Sequence, residues 1–162
     1  MLGNEVLDAM AVERFRWNGG DVERFHVECR GDAFGWCARA AHNAELVDAV
    51  RGLDEDPGLL PGYVSEINLQ LPPWLQGIAA MLDRGLLLLV DYGYQRHEYY
   101  HPQHREGTLM CHYRHRAHGD PFLWPGLQDI TAHVDFTAVA EAGVTADLDV
   151  LGYTSQAWFL LD

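Results

Sequence analysis

The sequence predicts an α/β fold in which helices cover a parallel sheet. The run LLLLV at 86–90 is the main reason, because five consecutive apolar residues suit a strand that is buried on both faces. A helix precedes this run: prolines occupy its first turn from Pro72, apolar residues recur along one face, and Gly85 ends it. Helix and strand form half of a βαβ unit, and residues 86–91 are expected to be a central strand.

An antiparallel meander is predicted nearer the amino terminus. Residues 12–38 contain three stretches rich in aromatic and β-branched residues, separated by the turn sequences NGGD and RGD. The segment HNAELVDAVRGL at 42–53 predicts a short helix, whereas DEDPGLLPGYVSE at 54–66 has the prolines and glycines of a loop. We expect the meander at the periphery of the sheet.

The carboxyl-terminal part combines an irregular connection with short elements. Residues 94–126 lack clear periodicity, and a connection of that length inside a compact domain is usually functional or mobile. The segment VDFTAVAEAG predicts a helix with Asp135 as its cap and Gly143 at its end. A strand is predicted at LDVLGY (148–153), followed by a helix that starts at Thr154.

Composition restricts the classes of partner and compartment. With 162 residues, of which 48% are apolar, the chain is expected to form a single domain with a substantial core. A formal net charge of −13 argues against a nucleic-acid partner and suits a cationic ligand or a basic protein. No apolar run reaches the roughly 18–20 residues that a membrane span requires. Three cysteines without CxxC spacing favour a reducing compartment.

A first group of polar residues lies close to the amino terminus. Asn4, Glu5 and Asp8 fall within one turn of each other where a strand is expected to have ended. An asparagine with two carboxylates can hold a cationic group by charge-assisted hydrogen bonds. The same residue types also cap the first turn of a helix, which is the simpler interpretation of this segment alone.

A second group follows the apolar run. Asp91, Tyr92 and Gly93 stand where that strand ends, and ligands of parallel sheets bind at the carboxyl ends of strands. An acid in a solvated loop is an equally good interpretation of Asp91. Glu66, in the SEI sequence ahead of the proline helix, is a weaker candidate of the same kind.

A third group lies in the segment PGLQDITAHVDF. If this segment is extended, its alternate residues Asp129, Thr131, His133 and Asp135 share one face. Four polar groups beside Asp91 would form a plausible acid–base site. A capping and turn network at the start of the next helix explains the same residues equally well.

The histidine-rich segment at 97–118 raises the question of a metal. Three neutral imidazoles can bind zinc, but a spacing of three suits a helix, whereas TLMCHYRH alternates as a strand does. Carboxylates that would hydrogen-bond the imidazoles are also sparse. We therefore predict no metal site, and a metal-dependent hydrolase stays as an alternative. The histidines concerned are His97, His101, His104, His112, His115 and His118.

Six segments, taken in order, resemble the MidA-type proteins. They are NEVLDAM, the SEI before the proline helix, LLLLVDYGY, GTL, PGLQDITAHVDF and TSQAWFLL, and they extend over nearly the whole sequence. MidA-type proteins are S-adenosylmethionine-dependent methyltransferases of the class I, Rossmann-like kind, and mitochondrial members methylate an arginine of a respiratory complex I subunit. The resemblance implies a partial Rossmann-like class I fold with the antiparallel β-meander as an insertion.

The sequence departs from the MidA-type pattern in two respects. Ala11 stands where a proline is usual, and the glycine-rich loop and the acidic residue that bind the cofactor have no counterpart. The resemblance therefore implies one domain, the carboxyl-terminal part of a methyltransferase, with the meander at 12–38 and a sheet and helix core at 66–162. We expect this chain alone to bind S-adenosylmethionine weakly, and its open sheet edges to favour a homodimer.

The resemblance implies methyl transfer from S-adenosylmethionine to a protein with an accessible arginine, in the bacterial cytoplasm or in mitochondria of eukaryotic relatives. A non-catalytic assembly module of the same fold is the alternative. Asn4 and Glu5 are assigned to the cofactor. The catalytic residues are Glu5, Asp8 and Asp91, which would hold the guanidinium, and His133, which would accept a proton. Substrate contacts are assigned to Glu66, Tyr92, Gly93, Asp129, Thr131 and Asp135.

Two consequences of these assignments can be compared with a structure. Asn4, Glu5, Asp91 and His133 should converge on one cleft, although they are distant in sequence. Replacing Asp91 by Asn should largely preserve stability and reduce methyl transfer about tenfold or more.

Overall fold

The computed structural model describes residues 1–55 and 59–161, and the α/β class is confirmed. The strands, in chain order, are β1 (Leu2–Asn4), β2 (Glu13–Trp17), β3 (Val22–Arg30), β4 (Ala33–Ala40), β5 (Tyr63–Ile67), β6 (Leu88–Val90), β7 (Gly93–Tyr94), β8 (Met110–Tyr113), β9 (Arg116–His118), β10 (Asp129–Thr131) and β11 (Val134–Asp135). The helices are α1 (Ala44–Glu55), α2 (Leu71–Ala80), α3 (Arg96–Tyr99), α4 (Phe136–Thr145) and α5 (Gln156–Leu161), with a 3-10 turn at Pro102–His104.

The predicted meander is confirmed, and it has a fourth strand. Strands β2, β3 and β4 pair antiparallel, and β5 pairs with the other edge of β2, so that Ser65 lies opposite Phe15. The predicted loop at 54–66 is therefore wrong for Tyr63–Ile67, and residues 56–58 lie outside the described residues. Four of the five β5 residues are buried, so this strand lacks the alternation by which a half-exposed strand is recognised.

Strand β6 is parallel to β1, with Val90 opposite Asn4. The strand predicted at 86–91 is confirmed in its central part, but burial on both faces is wrong: residues 87–90 are half-buried and Leu86 is 56% exposed. In the part of the chain that the structure describes, β6 pairs with β1 alone, and a two-stranded sheet is too narrow to be covered on both faces. The parallel pair still brings its two carboxyl ends together.

Helix α2 packs against this parallel pair and is shorter than predicted. Its prolines lie in the first turn, as expected. The helix ends at Ala80 instead of continuing to Gly85, because the Met81 N–H turns back to the carbonyl of Ile78. Its buried residues are Leu71 and Leu75.

Helix α4 has the predicted cap and ends later than predicted. The Asp135 side chain accepts hydrogen bonds from the first free N–H groups of the helix. Gly143 is buried inside the helix, which continues to Thr145. The chain leaves the helix through Asp147, whose φ of 60° is left-handed, so an aspartate takes the position predicted for the glycine.

The strand predicted at 148–153 is wrong, because this segment is irregular and has no strand partner among the described residues. The helix predicted from Thr154 is confirmed but begins at Gln156. The connection at 94–126 contains more structure than predicted, since the β8–β9 hairpin pairs with β10. Within the described residues, no helix combines the length and the apolar character needed to cross a lipid bilayer.

The buried residues form two clusters. The larger cluster joins the meander to α1 and to the tyrosines that end α3. The smaller cluster joins α2, α4 and the parallel pair. The meander was expected at the periphery, but it contributes to the larger cluster. Its strand β5 also lines the space between the two clusters. Representative members are Phe15, Trp17, Leu46 and Tyr99 in the first cluster, and Leu7, Leu75 and Val134 in the second.

Candidate active site

The acidic edge consists of Asn4, Glu5, Asp8 and Asp91, at the carboxyl ends of β1 and β6. Because these strands are parallel neighbours, the residues that follow them meet at one edge of the sheet, where α/β proteins bind ligands. Asp8 is 9% exposed, and its pKa is raised by burial and by the nearby charges of Asp91 and Glu5. The structure therefore brings the Asp91 carboxylate, from one segment of the sequence, next to those of Glu5 and Asp8, from another.

Asp91 holds the loop that follows β1. Both of its carboxylate oxygens accept backbone hydrogen bonds, so the side chain fixes the path of residues 5–8. Glu5 begins this loop with a φ of 51°, a conformation that is costly for glutamate and persists only where the surroundings impose it. The Asp91 Oδ2 atom accepts from the N–H groups of Val6 (3.1 Å), Leu7 (2.8 Å) and Asp8 (3.4 Å), and Oδ1 accepts from that of Tyr92 (2.9 Å).

The backbone on either side of His133 is attached to the acidic edge. The N–H of Ala132 donates to the carbonyl of Asp8 (3.0 Å), and the N–H of Val134 donates to the carbonyl of Tyr92 (2.8 Å). His133 therefore lies between two contacts with the residues that follow β1 and β6. Its ring lines the neighbouring cavity, whereas the Asp91 carboxylate faces the loop amides.

The acceptor-side cavity, as we call it, has a volume of about 320 Å³ and lies between the meander, α1, α2 and α4. Leu7, from the loop that Asp91 holds, forms part of its wall, so the cavity borders the acidic edge. Much of the remaining wall is leucine, isoleucine and valine. Among the residues that the structure describes, the charged ones that line it are four carboxylates and one guanidinium, namely Asp48, Glu66, Asp135, Glu141 and Arg96.

Glu66 is the most deeply buried of these carboxylates, with 0% of the residue exposed. Its Oε2 accepts a hydrogen bond from the Thr108 N–H at 2.7 Å, and the Arg14 Nε lies 3.4 Å from Oε1. Among the described residues, Oε1 accepts no hydrogen bond. Burial raises the pKa of Glu66, although Thr108 and Arg14 act in the opposite direction. Gly107, with a φ of 86°, packs so closely on the carboxylate that a Cβ there would collide with it.

His133 contributes an uncharged imidazole to the cavity. Its ring packs edge-on against Tyr94, with 5.1 Å between the ring centroids. Burial and the nearby His104 lower the pKa of His133, so the ring is neutral near pH 7. Its Nδ1 is buried and has no hydrogen-bond partner in the described part of the chain. A neutral imidazole nitrogen of this kind can accept a proton.

The other substrate candidates occupy distinct structural positions. Asp135 caps α4 and pairs with Arg96, whose Nε lies 3.2 Å from its Oδ2, so the capping interpretation holds for this residue. Gly93 lies against the backbone of Val134, where a Cβ would collide. Tyr92 is 61% exposed beside the acidic edge.

The polar face predicted for the segment around β10 is divided in the structure. Asp129 lies near the acidic edge, where its charge helps to raise the pKa of Asp8. Thr131 is half-buried in β10, which pairs with β8. His133 and Asp135 line the cavity instead. The roles assigned to these residues stay predictions.

The histidine-rich segment has structural contacts. His104 bonds the carbonyl of Tyr99 through Nδ1 (3.2 Å), and the His101 side chain accepts from the N–H of Gln103 (3.3 Å). No three His, Cys, Asp or Glu side chains of the described residues are grouped so as to hold a metal ion.

Sequence reasoning missed the two residues that position Glu66. Arg14 lies on β2, and its guanidinium packs over the rings of Phe25 (5.4 Å) and Trp36 (5.2 Å). Thr108 supplies a backbone N–H, which no side-chain pattern reveals. The available signals were the alternation of ERFRW, which puts Arg14 on one face, and the flexible glycine before Thr108.

A protein family model described as "Putative S-adenosyl-L-methionine-dependent methyltransferase" matches residues 1–154. The chain belongs to this methyltransferase family. The family-level part of the resemblance drawn from the sequence is therefore confirmed.

Two crystal structures of Burkholderia thailandensis proteins of one superfamily resemble this chain. One, described as a "likely methyl transferase", has S-adenosyl-homocysteine bound; it is 49% identical to this chain, with a TM-score of 0.89. The other, described as uncharacterized, is also 49% identical, with a TM-score of 0.90. The alignments cover 99% of this chain but 41% and 42% of the respective Burkholderia chains. Among curated proteins, none matches this chain.

Proposed function

We propose that this chain is the acceptor-binding part of a Rossmann-like, MidA-type enzyme that methylates an arginine of a protein with S-adenosylmethionine. The observation that carries the proposal is the acidic edge: two parallel strands end side by side, and the loop after one is held by the acid after the other. Membership of the methyltransferase family supports the reaction class. The net charge of −13 suits a basic segment of a protein substrate.

The acidic edge fits part of the cofactor. S-adenosylmethionine has a sulfonium cation and an ammonium group, and carboxylates favour both. Asn4 and Glu5 would hold it, since Glu5 is exposed at the end of β1 with its backbone fixed by the loop. The Burkholderia relative with S-adenosyl-homocysteine bound supports S-adenosylmethionine as the cofactor. When bound, the cofactor supplies a methyl group whose bond to sulfur breaks, the electron pair staying on sulfur, as a new bond forms to the acceptor nitrogen.

The residues of this chain would bind and deprotonate the acceptor. A guanidinium arrives protonated, because its pKa exceeds about 12, so its nitrogen must lose one proton during transfer. His133 is proposed to receive that proton at Nδ1, which is buried and neutral. Glu5 and Asp8 would attract the substrate cation as it approaches the acidic edge. Asp91 would act through the loop that it holds.

Methyl transfer to an arginine peptide tests the proposal. We expect a fusion of this chain with the rest of the Burkholderia protein to transfer tritiated methyl groups from S-adenosylmethionine to the peptide. Asp8→Asn should reduce the rate about tenfold or more, because a charge at the acidic edge is lost. Asp32→Asn, in the exposed turn before β4, is the matched control and should leave the rate unchanged. A fusion that binds the cofactor but labels no peptide would favour the non-catalytic assembly module.

A further inference from the structure

We infer that the acceptor-side cavity receives the side chain to be methylated, and that Glu66 is the counter-ion of its guanidinium. The inference rests on the proposed function, because it identifies where the substrate of that reaction binds. It assigns a pocket and a charge partner to a cavity that lies apart from the carboxylates of the acidic edge.

The charge of the cavity selects a cation. Among the described residues, four carboxylates and the guanidinium of Arg96 line the cavity, and Arg96 already contacts two of the four, Asp135 and Glu141. Of the other two carboxylates, Asp48 is exposed, and Glu66 has the Arg14 guanidinium beside it, with Nε 3.4 Å from Oε1. Even with Arg14 counted, negative charge exceeds positive charge around the cavity, and the low dielectric around the buried Glu66 strengthens its attraction for a cationic ligand.

The Glu66 carboxylate is held in place, but its capacity to accept hydrogen bonds is only partly used. Thr108 donates to Oε2 from its backbone N–H (2.7 Å) and from its hydroxyl (3.5 Å), while Oε1 accepts no hydrogen bond from the residues that the structure describes. Arg14 stands 3.4 Å from Oε1 and is itself packed against two aromatic rings, so it fixes the carboxylate without completing its hydrogen bonds. A buried carboxylate oxygen with an unused lone pair is the group that gains most from a further donor.

The walls suit the stem of an arginine side chain. Leu53, Ile67, Leu71 and Val134 provide apolar surface for the methylene groups, while the carboxylates provide the polar end. Long cationic side chains bind in this way, with the stem on apolar surface and the head on a polar group. The volume of about 320 Å³ accommodates such a side chain.

The cavity also lies where an acceptor must reach the methyl donor. Leu7 belongs both to the cavity wall and to the loop held by Asp91. His133 lines the same cavity and is attached through its neighbours to Asp8 and Tyr92. A cation bound in the cavity would thus be next to the acidic edge.

Binding of two matched peptides tests the inference on the 162-residue protein. The peptide Ac-Gly-Arg-Gly-NH2 and its citrulline counterpart have nearly the same shape, but citrulline is uncharged. We expect titration followed by NMR to show binding of the arginine peptide about tenfold or more tighter, with shifts at the Thr108 amide and the His133 ring. Glu66→Gln should abolish this preference.

A second pair of variants tests the cavity without changing its charge. Gly52 lines the cavity from α1, and a Cβ built there meets no atom within 4 Å, so Gly52→Trp can place an indole at the cavity without moving the backbone. Gly77→Trp is the control, because Gly77 is a glycine of α2 outside the cavity wall whose Cβ would likewise meet no atom within 4 Å. We expect Gly52→Trp to weaken arginine-peptide binding about tenfold or more, and Gly77→Trp to retain it.

The outcomes separate this inference from the proposed function. Equal binding of arginine and citrulline peptides, or unchanged binding by Gly52→Trp, would overturn the cavity as the acceptor pocket. Methyl transfer that survives in Gly52→Trp would also overturn it, while leaving the methyltransferase function intact. The predicted binding pattern without any methyl transfer would support the cation pocket and overturn the function.

Discussion

The acidic edge and the acceptor-side cavity are neighbours that hold their carboxylates in different ways. At the edge, both oxygens of Asp91 accept backbone hydrogen bonds. In the cavity, Glu66 is fully buried, yet within the described residues its Oε1 accepts no hydrogen bond and has the charge of Arg14 at 3.4 Å. The first carboxylate stabilises a loop, whereas the second has unused capacity for a ligand.

This difference indicates that Asp91 and Glu66 have different roles. A carboxylate that is saturated by backbone N–H groups is a rigid support, and a reacting group can be positioned on it. A buried carboxylate with an oxygen that accepts no hydrogen bond lowers the stability of the free protein. Binding of a cation to that oxygen restores the lost stability. We therefore expect changes at the edge to act on geometry, and changes in the cavity to act on acceptor binding.

The largest stability effect is expected at Gly107, which packs on Glu66. Gly107→Ala would add left-handed strain, about 1–2 kcal/mol, and a collision with the carboxylate, about 1–3 kcal/mol, giving a loss of about 2–5 kcal/mol in the free energy of unfolding. Gly126 has a similar φ of 79° but open space around its Cβ, so Gly126→Ala should cost only the strain. Urea denaturation of both variants measures the difference. Equal losses would mean that Glu66 is not tightly enclosed.

The next effect is expected at Asp91. The two oxygens of Asp91 accept hydrogen bonds from four backbone N–H groups, whereas an asparagine side chain has one acceptor oxygen. We therefore expect Asp91→Asn to lower the free energy of unfolding by about 1–3 kcal/mol and to slow methyl transfer. This revises the sequence-based expectation that stability would be largely preserved. Asp129→Asn, on an exposed residue near the same edge, should change stability by about 0.5 kcal/mol or less in the same denaturation experiment. A stable Asp91→Asn variant would contradict the supporting role.

The smallest effect is expected in the pH dependence of stability. The pKa of Glu66 and that of Asp8 are raised in the folded protein, so each folded carboxyl binds a proton that the unfolded one has released. Stability should therefore increase as the pH falls through these raised pKa values, and this contribution is lost as the pH rises again. Unfolding measured from pH 4 to 8 should show Glu66→Gln removing more of this dependence than Asp8→Asn. If Asp8→Asn removed more of the pH dependence than Glu66→Gln, the account would be contradicted, because burial would then raise the pKa of Asp8 more than that of Glu66.

The two regions also differ in how far the sequence predicts them. The acidic edge could be predicted, because Asn4 ends β1, Glu5 and Asp91 directly follow β1 and β6, and the parallel pairing of these strands brings their ends together. The role of Asp91 could not, because backbone N–H groups carry no sequence signature. The cavity was not predicted, because its walls come from five distant parts of the chain and Glu66 lies on a strand without alternation.

The most direct test of the account is a crystal structure of the fusion protein with S-adenosyl-homocysteine and an arginine peptide. We predict that the sulfur lies at the acidic edge, beside Glu5, and that the guanidinium occupies the cavity within hydrogen-bond distance of Glu66 Oε1. A structure in which the arginine binds outside the cavity, or in which the sulfur lies away from the ends of β1 and β6, would contradict the account.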